Sequence, residues 1–136
     1  NRLLKQTDEI TVFWTAFAWG VKNGTLTELN FDQYSDNRKQ ADFNLKKQDS
    51  GETILQIKLP RILPEYVKYC KNNNQRNLDA NSLRMLLTSK AYEAFIPTSQ
   101  KGRGVNHTDI HFVTCYQFKL QKEETGYLIN GVEINF

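Results

Sequence analysis

The stretch from Pro60 to Phe118 constrains the chain most, because it reads as two short helices followed by a basic, glycine-tipped hairpin. In its first part, Ile62, Leu63, Tyr66, Val67 and Cys70 recur at helical spacing, while Glu65, Lys68 and Lys71 fall on the other side. That is the pattern of a half-buried helix. The polar run 72–77 breaks the periodicity. Asp79 is then placed to cap a second helix with Leu83, Leu86 and Leu87 facing inward. After Ala91 come a short apolar run at Phe95 and Ile96, a tip over Gln100–Gly104, and a long alternating strand ending near Phe118. Helix, loop, helix and hairpin in this order predict an α+β, winged-helix-like domain with a helix-turn-helix and a wing hairpin.

The flanking residues fit one domain of 136 residues. Residues 1–59 are expected to hold an N-terminal amphipathic helix, an irregular region and a strand. Residues 60–120 would form the winged helix-turn-helix, and residues 121–136 a C-terminal hairpin. The first helix is expected from about Asp8 to Asn23, capped by Thr7 or Asp8 and ended by Gly24. Ile10, Phe13, Trp14, Phe17 and Val21 form its inner stripe. Val12 and Trp19 lie on its opposite side, either covered by later strands or the C-terminal tail or left as a docking surface. Residues 26–45 are polar and poorly periodic, with Phe31, Tyr34 and Phe43 as anchors, and allow one or two short strands. Alternation from Thr53 to Leu59 predicts the central strand, and Pro60 suits the first turn of the helix after it. Asn130-Gly131 between apolar runs predicts a tight hairpin turn.

The net charge is only +3, too little to argue for a polyanionic partner. The distribution says more, since Pro60–Gln121 carries nine Lys and Arg against four Asp and Glu. The two cysteines, Cys70 and Cys115, lack metal-type spacing, so reduced thiols in a cytoplasmic protein are expected, with a disulfide between them the alternative. No stretch is long and apolar enough to span a membrane by helix, and the start does not read as a signal peptide. Asn1 in place of an initiator methionine suggests a domain of a larger protein.

On the second helix, Asn81, Arg84, Met85 and Thr88 lie away from the leucine stripe. Asn, Arg and Thr side chains reach base edges or phosphates when such a helix enters the major groove. Lys90 follows the helix, and Lys101 and Arg103 flank Gly102 at the tip, where glycine lets the backbone turn close to a phosphate. Asn81, Arg84, Thr88, Lys90, Lys101 and Arg103 are therefore the candidate nucleic-acid contacts. The competing reading is an ordinary solvated helix face and loop, or a protein-interaction module using Val12 and Trp19. His107, Asp109 and His111 share one face of the expected strand, but same-face neighbours along a strand stand about 7 Å apart and do not converge on a metal unaided. The phosphate-loop, nucleophile-elbow and zinc-protease motifs are absent, so neither catalysis within these residues nor a cofactor is expected.

Three stretches also carry a resemblance. They are Val12–Val21 with the following Gly-Thr-Leu, then Leu63–Lys71, then Ser82–Leu87 leading to Thr114–Phe118. Together the chain resembles the C-terminal domain that follows the helicase core in primase-helicase proteins of phages and mobile elements, particularly those of Bacteroidetes. The resemblance implies a winged-helix-like domain that contacts DNA, single- or double-stranded, or regulates an upstream helicase core in DNA replication. ATP hydrolysis would belong to that core, and no catalytic residue carries over.

Overall fold

The computed structural model describes residues 2–28, 42–47, 50–96 and 115–136, with side chains from Glu9 onward. The chain is α+β: three helices and an antiparallel sheet. Helix α1 spans Arg2–Lys22, so Thr7 and Asp8 lie inside it rather than at its start. The expected cap at Thr7 or Asp8 is thereby overturned: the helix already begins at Arg2, and Leu3 stands seven and fourteen residues before Ile10 and Phe17, in the same helical period. Of its expected inner stripe, Ile10, Phe13, Trp14 and Phe17 are buried, and Val21, in the last turn, is half-buried against the core. The helix stops where Gly24 takes φ +74°, a left-handed conformation open to glycine without steric cost.

Strand β1 (Phe43–Lys47) pairs with β2 (Thr53–Ile57) around the Ser50-Gly51 turn. Helix α2 (Leu59–Asn72) follows at once, with Pro60 in its first turn, where no backbone N–H is required. Leu59, Ile62, Tyr66 and Cys70 are buried on its inner face. Val67, expected on that face, is 43% exposed, since the buried stripe runs through 62, 66 and 70 and leaves 67 beyond its edge. The asparagine run ends the helix, with Asn74 at φ 53°. Helix α3 (Ala80–Leu87) is capped by Asp79, whose carboxylate accepts from the Ser82 backbone N–H at 2.7 Å and from the Ser82 hydroxyl at 3.1 Å.

Those bonds hold the Asp79 carboxyl below its ordinary value of 3.8, the Ser82 amide being the largest cause. A depressed folded pKa contributes stability above the unfolded value and loses it as pH falls through the folded one. Asp79→Asn keeps a capping oxygen without the titrating charge. Its urea midpoint should therefore lie below wild type near neutrality, and the gap should close as pH falls from about 4 toward 2. An identical acid limb in the two proteins would refute this.

The short strand β3 (Phe95–Ile96) pairs with β4 (Tyr116–Lys122), which also pairs with β2. β4 passes four residues beyond Phe118, the end expected from alternation. Its last residues pair with β5 (Tyr127–Ile129), which pairs with β6 (Val132–Ile134). The C-terminal hairpin is therefore part of the sheet, and its turn is the expected Asn130-Gly131, both at positive φ. The strand order is β1-β2-β4-β5-β6, with β3 beside β4.

Alternation gives β1, β2 and β4 two distinct faces. Phe43, Leu55, Ile57, Phe118 and Leu120 turn toward α1, where Phe17 meets Phe43 edge-on at 5.3 Å and Trp14 meets Phe118 at 5.0 Å. On the reverse face, Asn44, Gln56 and Gln117 sit in register across three strands. All three are buried, and their amides are joined: Asn44 Nδ2 donates to Gln56 Oε1 and Gln56 Nε2 to Gln117 Oε1, each at 2.9 Å.

Candidate nucleic-acid interface

Helix α3 presents the candidate site because its two faces differ sharply. Leu83 and Leu87 are buried and Leu86 half-buried, which fixes the rotation of the helix on the core. Asn81, Arg84 and Met85 are then exposed on the other side, with Thr88 half-buried at the C-cap. These four recur at i, i+3, i+4 and i+7 and so form a single stripe. Within it, the Arg84 guanidinium donates to Asn81 Oδ1, and the Thr88 hydroxyl donates to the Arg84 carbonyl at 2.7 Å. Asn81 thus holds Arg84 against the helix, and the Thr88 hydroxyl is engaged by the backbone. Lys90 is exposed just past the helix.

The support beneath α3 is built from α1 and α2. Leu78, just before the cap, donates its backbone N–H to the Tyr66 hydroxyl at 2.8 Å, and the Tyr66 ring lies 5.7 Å from Phe13. Burial pushes the Tyr66 phenol above its ordinary value, so it stays a neutral acceptor. After α3, the Tyr92 hydroxyl accepts from Trp14 Nε1 at 2.8 Å and ties the following turn to α1. A cleft of about 470 Å³ opens between that turn and the β4–β5 pairing, lined by Tyr92, Glu93, Lys119, Gln121 and Asn130 among others. It holds charges of both signs, unlike the α3 stripe.

Besides Arg84, two more cations of the local surplus have partners within the protein. Arg61 Nε bonds Asp42 Oδ1 at 2.8 Å, while the other oxygen of Asp42 accepts from the Thr27 N–H. This buried carboxylate fastens the loop after α1, the start of β1 and the first turn of α2 together. Lys68 Nζ stands 5.9 Å from the Trp19 ring centroid. Counting charges along the sequence therefore overstates what this half of the protein offers a polyanion.

Lys101 and Arg103 lie outside the described residues, as do His107, Asp109 and His111. Among the described residues, no three His, Cys, Asp or Glu side chains gather to hold a metal. Val12 and Trp19 are both half-buried: Val12 packs against the core, and Trp19 faces Tyr69 of α2 at 5.8 Å. Among the described residues, what meets the Trp19 ring is thus α2, rather than a strand or the C-terminal tail. Cys70 and Cys115 are both buried free thiols, and burial pushes the Cys115 thiol up to about 12. No helix of the described residues is long and apolar enough to cross a membrane. No protein-family model, curated protein or solved structure matches the chain.

Proposed function

We propose that this chain is a winged-helix-like nucleic-acid-binding domain that lays α3 in the groove of DNA, as an accessory module of a phage or mobile-element helicase or primase. The observation that carries the reading is the α3 stripe: Asn81, Arg84 and Met85 exposed together, ending at Thr88, on a helix whose opposite face is buried. Two further features support it. Helices α2 and α3 lie between β2 and β3, and β4 is paired with both, which is the strand order β2-β4-β3 of a winged helix. Residues 80–92 hold Arg84 and Lys90 and no acid. The one carboxylate at the head of α3, Asp79, is spent on Ser82.

In this reading Arg84, Lys90, Lys101 and Arg103 neutralise phosphates, while Asn81 and Thr88 supply hydrogen bonds. Four neutralised phosphates make duplex binding fall on the order of 100-fold between roughly 50 and 200 mM salt. Fluorescence anisotropy with labelled duplex and single-stranded 20-mers of mixed sequence measures the slope. Arg84→Ala should weaken binding and lower the slope by about one. Absence of binding to both forms at low salt would overturn the proposal.

A further inference from the structure

Met85 is 63% exposed, more than Val67 at 43% or Phe136 at 40%, the other large apolar residues at the surface among those described. It stands in the middle of the α3 stripe, with Asn81 and Arg84 on one side and Thr88 on the other. Asn81, Arg84 and Thr88 each have a hydrogen-bonding partner on α3 itself. The thioether has no such tie, and an apolar side chain held in water at the centre of a polar stripe gains by being covered.

Three properties of the surroundings select the occupant. The charges within residues 80–92, Arg84 and Lys90, are both cationic. Of the two acids that bound the segment, Asp79 is bonded to Ser82 and Glu93 lines the cleft beyond Tyr92, so the stripe itself complements a polyanion. A helix with its side chains measures about 10–12 Å across, close to the width of the major groove. Within that groove the one apolar group a base edge displays is the 5-methyl of thymine. We propose that Met85 packs against that methyl, so that the domain prefers A·T-rich duplex to duplex lacking the methyl group. The inference rests on the nucleic-acid reading above and names the base feature that site recognises.

Alternating poly(dA-dT) and poly(dA-dU) duplexes share a backbone and hydrogen-bonding edges and differ in the methyl alone. Titrated in parallel at low salt, the wild-type protein should bind the thymine duplex about three- to fivefold more tightly, the value of one buried methyl group. Met85→Ala should bind both duplexes equally, at the wild-type affinity for the uracil duplex. Met85→Leu should keep the preference. Met85 is exposed, so neither substitution puts folding at risk. Equal binding of the two duplexes by wild type, or a preference that survives in Met85→Ala, overturns the assignment and leaves the thioether to a protein partner, with DNA binding intact. Failure of wild type to bind either duplex overturns the nucleic-acid reading itself, and this inference with it.

Discussion

Trp14→Ala is expected to lower the melting temperature by roughly 10–20 °C and destabilise the domain by about 3–5 kcal/mol. Trp14 is fully buried, and its ring meets Phe13, Phe17 and Phe118 at 4.9, 5.7 and 5.0 Å, all near edge-on. Truncation removes the largest buried side chain and leaves a cavity bounded by rings on both α1 and β4, which collapses poorly. A second cost arises at the indole nitrogen. It donates to the Tyr92 hydroxyl, whose own pKa burial has pushed up to about 12, so the oxygen left behind is a buried neutral group without its donor. Trp14→Phe separates the two contributions, retaining most of the apolar contact while losing the hydrogen bond, and should cost about 1–3 kcal/mol. Urea titrations of the three proteins measure this. If Trp14→Ala cost no more than Trp14→Phe, the ring cluster would not be the element that joins helix to sheet.

Where local chemistry decided a structure, it was legible. The Ile10–Phe17 stripe, the Asp79 cap, the Pro60 helix start and the Asn130-Gly131 turn each depend on residues within a few positions of one another. The Asn81, Arg84, Met85 and Thr88 stripe was legible for the same reason, because leucines at helical spacing fix which way the helix turns. Distant partners were not legible. Val67 shared an apolar face by spacing, yet only the packing of α2 decides where the buried stripe ends. The strand ending at Phe118 by pattern extends to Lys122 because β5 arrives to pair with it. Arg61 counted as a surface cation until Asp42, 19 residues earlier, proved to hold it. Gln56 carried the weakest signal of all. A polar residue alternating with apolar ones marks the wet side of a strand on pattern alone, and the amides that make its burial tolerable lie 12 and 61 residues away.

That amide row leads to the second large expectation. Gln56 is fully buried, accepts from Asn44 and donates to Gln117, so it is the middle of a chain of three side chains. Gln56→Leu keeps nearly the same volume and adds apolar surface, yet it leaves an Asn44 donor and a Gln117 acceptor buried without their partner. Each such group costs about 1–3 kcal/mol, so the substitution should destabilise by roughly 2–5 kcal/mol despite its greater hydrophobicity. The triple replacement Asn44→Leu, Gln56→Leu and Gln117→Leu removes donors and acceptors together. Its cost should be smaller than that of Gln56→Leu alone, because no half-satisfied row remains. The sign of that comparison is what matters, since independent side chains would make the triple variant worse than any single one. Urea denaturation of all the singles and the triple decides between the two. Additive losses would show the three amides to be separate neighbours, whereas a triple variant more stable than Gln56→Leu would show one polar unit that fixes the register of β1, β2 and β4. A one-residue slip of β1 or β4 would carry Asn44 or Gln117 to the opposite face and leave Gln56 without one of its two partners, so the row adds a polar penalty for misregister to that of apolar packing.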